Sequence, residues 1–116
     1  MERNKKHYVH AVRVQELVNI GFSIDPEKRR VQLGAARFNP TIIATKESLD
    51  PKADERFLHW LFRHSQSDIR RTFEWFALDD DNHIRDVFEH LGGLRELDPV
   101  LDWFSIRDWR QYEEVA

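Results

Sequence analysis

Cysteine is absent from this chain of 116 residues. Disulfides, thiolate metal sites and cysteine nucleophiles are therefore excluded together, and the absence fits a reducing compartment. Glycine and proline are scarce, at four residues each. The glycines do not gather into a phosphate-cradling loop, and neither a Gly-x-Ser-x-Gly elbow nor a His-Glu-x-x-His pair occurs. No apolar run approaches the roughly 20 residues needed to span a bilayer. The first residues are polar and lead into interrupted apolar positions, which argues against a secretory signal. These absences predict one cytoplasmic domain over 1–116, with no membrane segment, cofactor or resident metal.

Aromatic side chains are well represented. Eleven of the fourteen aromatic residues fall between Asp50 and Tyr112. Asp50-Pro51 can begin a helix, because Asp accepts orphan backbone N–H groups and Pro at the first position sacrifices no hydrogen bond. Ala53, Phe57, Trp60 and Leu61 then form one stripe, with Leu58 and Phe62 nearly opposite. Such a two-faced helix belongs at the centre of its domain. Ile69, Thr72, Phe73 and Phe76 continue at helical spacing after Ser65 and Ser67. Asp79-Asp80-Asp81-Asn82 opens a further helix carrying Ile84, Val87, Phe88 and Leu91, and Gly92-Gly93 is expected to end it. Asp98-Pro99 opens the last helical region, which Ser105 and Asp108 divide.

The first half is less regular. Residues 5–20 suit a helix or a strand. Phe22 to Ile24 and Val31 to Leu33 alternate around Asp25-Pro26, which reads as a β-hairpin, and Ile42 to Thr45 suits a short third strand. The expected fold is α+β and mainly α: a helical body of about four to five helices after residue 50, with a small N-terminal β-hairpin.

Charge is unevenly divided. The net −3 resolves into +5 over residues 1–71 and −8 over residues 72–116, a dipole able to orient a charged partner. Near the C-terminus, Trp75, Trp103, Trp109 and Tyr112 are more large amphipathic side chains than a small core readily encloses. With Asp102 and Asp108 beside them they suit an interface for a protein partner, a basic one included. The first expectation is therefore a non-enzymatic interaction module: an adaptor, an inhibitor or immunity-type protein, or a small subunit of a larger assembly. A homodimer would equally cover the second face of the Asp50 helix.

Ser65-Gln66-Ser67-Asp68-Ile69-Arg70-Arg71 supports another class. Joining two expected helices, residues 57–76 resemble a bacterial helix-turn-helix, in which Gln66, Ser67, Arg70 and Arg71 would face DNA. The match departs from that pattern at His59, Arg63 and His64. His83, Asp86 and His90 share a helix face, as metal ligands or an acid–base set would. However, His83 and His90 lie two turns apart, roughly 10 Å along the axis, so one ion does not bridge them unaided. Neither a metal site nor an enzyme is expected.

Overall fold

The computed structural model describes residues 5–34, 38–67 and 74–96. Strand β1 (His7–Val14) turns directly into β2 (Leu17–Ser23), and α1 (Pro26–Gly34) leads to β3 (Thr41–Ser48). Helix α2 (Pro51–Leu61) and a 3₁₀ turn (Arg63–Ser65) follow. The short strands β4 (Gln66–Ser67) and β5 (Trp75–Phe76) precede α3 (Asp81–Glu89) and α4 (Leu91–Glu96). The strands form one antiparallel sheet in the order β3-β1-β2-β5-β4. No helix among the described residues is long and apolar enough to cross a membrane.

This architecture corrects the mainly helical expectation. Residues 7–23 are the central hairpin of a five-stranded sheet, not a helix, and Trp75 and Phe76 lie in a strand. The hairpin expected around Asp25–Arg30 is instead the start of α1. Asp25 Oδ1 accepts from Lys28 N at 3.0 Å, and Arg29 N donates to Asp25 O at 3.1 Å, so the Asp-Pro pair acts as a helix cap. The actual hairpin turns at Gln15-Glu16, where Gln15 has φ 57°. No glycine or asparagine announces that turn. The strand expected at Ile42 to Thr45 is present and longer.

Other helical expectations hold in part. Asp50 Oδ1 accepts from Ala53 N and Asp80 Oδ1 from His83 N, so both start signals operate. Ile84, Val87, Phe88 and Leu91 are buried together as their spacing requires. Gly92 and Gly93 do not end this run. The chain breaks at His90 and resumes in α4, which contains both glycines. Residues 98–116 lie outside the described residues.

Strand alternation sends side chains to two unlike faces. On one, Val9, Ala11, Val18 and Ile20 pack with Phe57, Leu58 and Phe62 of α2 and its exit, Phe76 of β5, and Ile84, Val87 and Phe88 of α3. On the other, Val12, Val14 and Trp75 form a smaller cluster with Leu17, Leu33, Phe38 and Ile42. Polar contacts tie the larger face. Arg13 donates from Nε to Asp81 Oδ1 (3.0 Å) and from Nη2 to Leu78 O (2.6 Å), holding the start of α3 against β1. His59 Nε2 donates to Ile20 O at 2.7 Å. On the smaller face, Gly34 permits close approach of α1 to Pro40, because a Cβ there would lie 2.3 Å from Pro40 Cγ.

Candidate functional site

One end of the sheet collects features found together nowhere else among the described residues. It is where β1 begins and where β2 and β3 finish, since Tyr8 pairs with Ser23 and His7 with Ser48. Ile24 follows β2 and is 49% exposed, while Leu49 follows β3 and is 99% exposed. They flank the start of β1 at a separation of about two strand spacings, roughly 10 Å. Between and beside them, Lys5, Lys6, Tyr8, Ile24 and Asp25 line a recess of about 420 Å³.

Both exposed residues share a local cause. Each immediately precedes an Asp-Pro helix cap, the position from which an apolar side chain normally folds back onto the fourth helical residue. In α1 that residue is Arg29, and in α2 it is Asp54, so neither Ile24 nor Leu49 has an apolar partner there. Asp54 is committed elsewhere: it accepts from the Ser48 hydroxyl at 2.6 Å, and Ser48 Oγ accepts from Asp50 N at 3.2 Å. This buried polar lock secures the turn on either side of Leu49.

Charges of both signs occur among the described residues at this end: Lys5, Lys6 and Asp25 line the recess, and Glu47, Asp50 and Lys52 lie within three positions of Leu49 in sequence. Lys6 Nζ lies 3.6 Å from Glu47 Oε2, with both side chains about half exposed or more. Asp25 and Asp50 face the positive ends of their helix dipoles. The surface thus has apolar points within a mixed polar rim, the usual anatomy of a protein interface.

The α1 face of the sheet carries buried polar groups. His10 and Asn19 are fully buried, and His10 Nε2 donates to Asn19 Oδ1 at 3.2 Å. The ring crosses Gly21, where a Cβ would come within 3.2 Å of Nε2. Burial foremost, assisted by Arg29 and opposed by the Asn19 bond, lowers the His10 pKa to about 4, so the ring is neutral near pH 7. Among the described residues, His10 Nδ1, Asn19 Nδ2 and Ser23 Oγ have no hydrogen-bond partner. A second titratable corner involves Glu55 of α2. Burial, then the neighbouring Glu74, raises its pKa to about 7 against the opposing effect of Arg56. Arg29 in turn approaches Glu74 at 3.7 Å.

Of the residues proposed from sequence, Trp75, Gln66 and Ser67 lie within the described residues. Trp75 is 3% exposed and packs with Val12 and Val14 as a core residue. Trp103, Trp109, Tyr112, Asp102 and Asp108 lie outside the described residues. Gln66 and Ser67 pair with Phe76 and Trp75 in the sheet instead of opening a recognition helix. Arg70 and Arg71 lie outside the described residues. On α3, Asp86 groups with Glu89 and His90, all exposed, with potential ligand atoms within 4.8 Å of one another. His83 is not in that group; its ring meets Phe62 edge-on at 6.1 Å. His90 Nδ1 donates to Asp86 O at 3.0 Å, which already satisfies one ring nitrogen within the helix end.

No family model, curated protein or solved structure matches the chain. Its functional reading therefore comes from its own residues.

Proposed function

We propose that this chain is a non-catalytic protein-interaction module, and that the end of the sheet carrying Ile24, Leu49 and the lysine-lined recess is its recognition surface. The observation that carries this reading is the placement of Ile24 and Leu49, two of the three large exposed apolar residues among the described residues, at one end of one sheet. Burying a side chain such as Leu49 yields about 1.5–3 kcal/mol, enough to make it an anchor. The lysines and carboxylates around it supply orientation rather than bulk affinity. This surface replaces Trp75 as the favoured contact.

A chain without cysteine permits a direct test. Leu49→Cys, Ile24→Cys and Glu16→Cys proteins, each labelled with a benzophenone maleimide, are irradiated in lysate of the source cell. Glu16 is exposed in the β1–β2 turn at the opposite end of the sheet. Discrete protein adducts from positions 24 and 49, absent from position 16, are expected. Equal labelling from all three positions would remove the reading.

A further inference from the structure

His10 is fully buried, and its Nε2 donates to Asn19 Oδ1 at 3.2 Å. With the ring proton used there, Nδ1 is the nitrogen that an added proton must take. Nδ1 has no hydrogen-bond partner among the described residues. A proton arriving at that atom creates a buried cation whose new N–H has no acceptor, which is costly unless water reaches it. The groups around the ring do not offset that cation. Tyr8 and Val12 flank it along β1, β2 brings Asn19, and Thr45 stands opposite on β3. From α1 comes Arg29, a second cation, whose charge itself opposes protonation of His10. The carboxylates of the region are matched by other cations. Glu74 lies 3.7 Å from Arg29, Glu47 of β3 lies 3.6 Å from Lys6, and Glu27 of α1 pairs with Arg30.

The helix over this side of the sheet is thinly anchored. Pro26, Arg29, Arg30 and Leu33 are the half-buried positions of α1, while Glu27, Lys28, Val31 and Gln32 are exposed. Two of the four inward positions are thus arginines, and Leu33 is the one that joins the apolar cluster of Val12, Val14 and Trp75. On the opposite face, α2 and α3 bury Phe57, Leu58, Ile84, Val87 and Phe88. Acid acts on that face in the other direction. Burial, then Glu74, makes Glu55 of α2 bind its proton more readily in the folded chain than in the unfolded one. We infer that α1 is an acid-released cover: protonation of His10 favours its detachment from the sheet while α2 and α3 stay packed on the opposite face.

Hydrogen–deuterium exchange of the full chain at pH 7 and pH 5 tests this, read segment by segment and corrected for the intrinsic pH dependence of amide exchange. Under α1 the His10 ring titrates near 4, and in water it returns to 6.5. The closed form is therefore fully favoured above 6.5 and loses ground as the pH falls toward 4. Protection of the α1 amides should drop about tenfold or more between pH 7 and pH 5. Protection at Ile84, Val87 and Phe88 in α3 should be retained. His10→Gln and His10→Leu do not titrate, so α1 should be equally protected at both pH values in whichever of them folds. Glu55→Gln should leave the α1 response in place, since the proton that matters is taken up at His10.

An α1 equally protected at pH 7 and pH 5 in the unmodified chain would overturn the inference. So would α1 and α3 losing protection together, which is general unfolding. An acid response of α1 that persists without His10, or that vanishes in Glu55→Gln, would overturn it as well.

Discussion

The two faces of the sheet are built from the same strands, yet they use different physics. Under α2, α3 and α4, Val9, Ala11, Val18 and Ile20 meet Phe57, Leu58, Phe76 and Phe88 in a continuous apolar cluster. Under α1, the equivalent alternate positions include His10 and Asn19, and the apolar cluster is confined to one end around Val12, Val14 and Trp75. The first face gains most of its stability from close packing, which is itself insensitive to pH, with Glu55 of α2 as the titrating group on that side. The second places a neutral histidine, and polar atoms without a partner among the described residues, in its interior, where every unmet hydrogen bond is costly. The lesson is that one sheet can have a stabilising side and a conditionally stable side, set by the residues at alternate positions.

The largest expected effect sharpens this contrast. Phe88→Ala removes a fully buried ring from the large face and should lower unfolding free energy by about 3–5 kcal/mol in urea. Leu33→Ala on the partly buried α1 side should cost clearly less. Comparable losses at the two sites would break the comparison.

The acid response comes next. His10 titrates near 4 in the folded chain against 6.5 as the ordinary value. As pH falls below 6.5 the unfolded chain takes up the proton first. Stability is thus fully present above 6.5, declines through this interval and levels off below about 4. The loss is about 3 kcal/mol. Glu55 acts with the opposite sign, because its folded pKa is raised from 4.5 to about 7. Its contribution is fully present below 4.5 and is lost as pH rises through 7. The two windows overlap and their slopes oppose, so urea midpoints of the unmodified chain should change little between about pH 4.5 and 6.5. His10→Leu should uncover the Glu55 decline as pH rises from 4.5 to 7, and Glu55→Gln should uncover the His10 gain as pH rises from 4 to 6.5. A Glu55→Gln chain whose midpoint does not fall on acidification from pH 6.5 to 4 would show that His10 does not make the α1 face acid-sensitive.

The smallest effect concerns the turn shared by both faces. Gln15 holds a left-handed conformation that disfavours a side chain. Gln15→Gly should raise stability by up to about 1 kcal/mol, read as a small upward shift of the urea midpoint. A decrease would mean that other contacts of Gln15 outweigh the backbone conformation.

Several parts of this molecule were readable residue by residue. Asp50 and Asp80 accept N–H groups three positions ahead, and the buried stripe of α3 follows its spacing. The exposed end was readable in principle too, since Ile24 and Leu49 precede caps whose fourth helical residues are Arg29 and Asp54. Trp75 was misleading for a physical reason. An indole counts as surplus only until its neighbours are known, and here Val12 and Val14 from a distant strand enclose it. Gln66 and Ser67 misled similarly, because pairing with residues 75–76 overrode a local helix-start pattern.

By itself the sequence determined the absence of disulfide chemistry, the helix starts at Asp50 and Asp80, and the buried side of α3. Each of these depends on composition or on contacts within four residues along the chain. Tertiary structure alone decided that residues 7–23 form strands, that Trp75 is core and that Ile24 and Leu49 share one end. Strand pairing joins residues far apart in sequence, and its free energy is realised only when both partners and the face they cover are assembled.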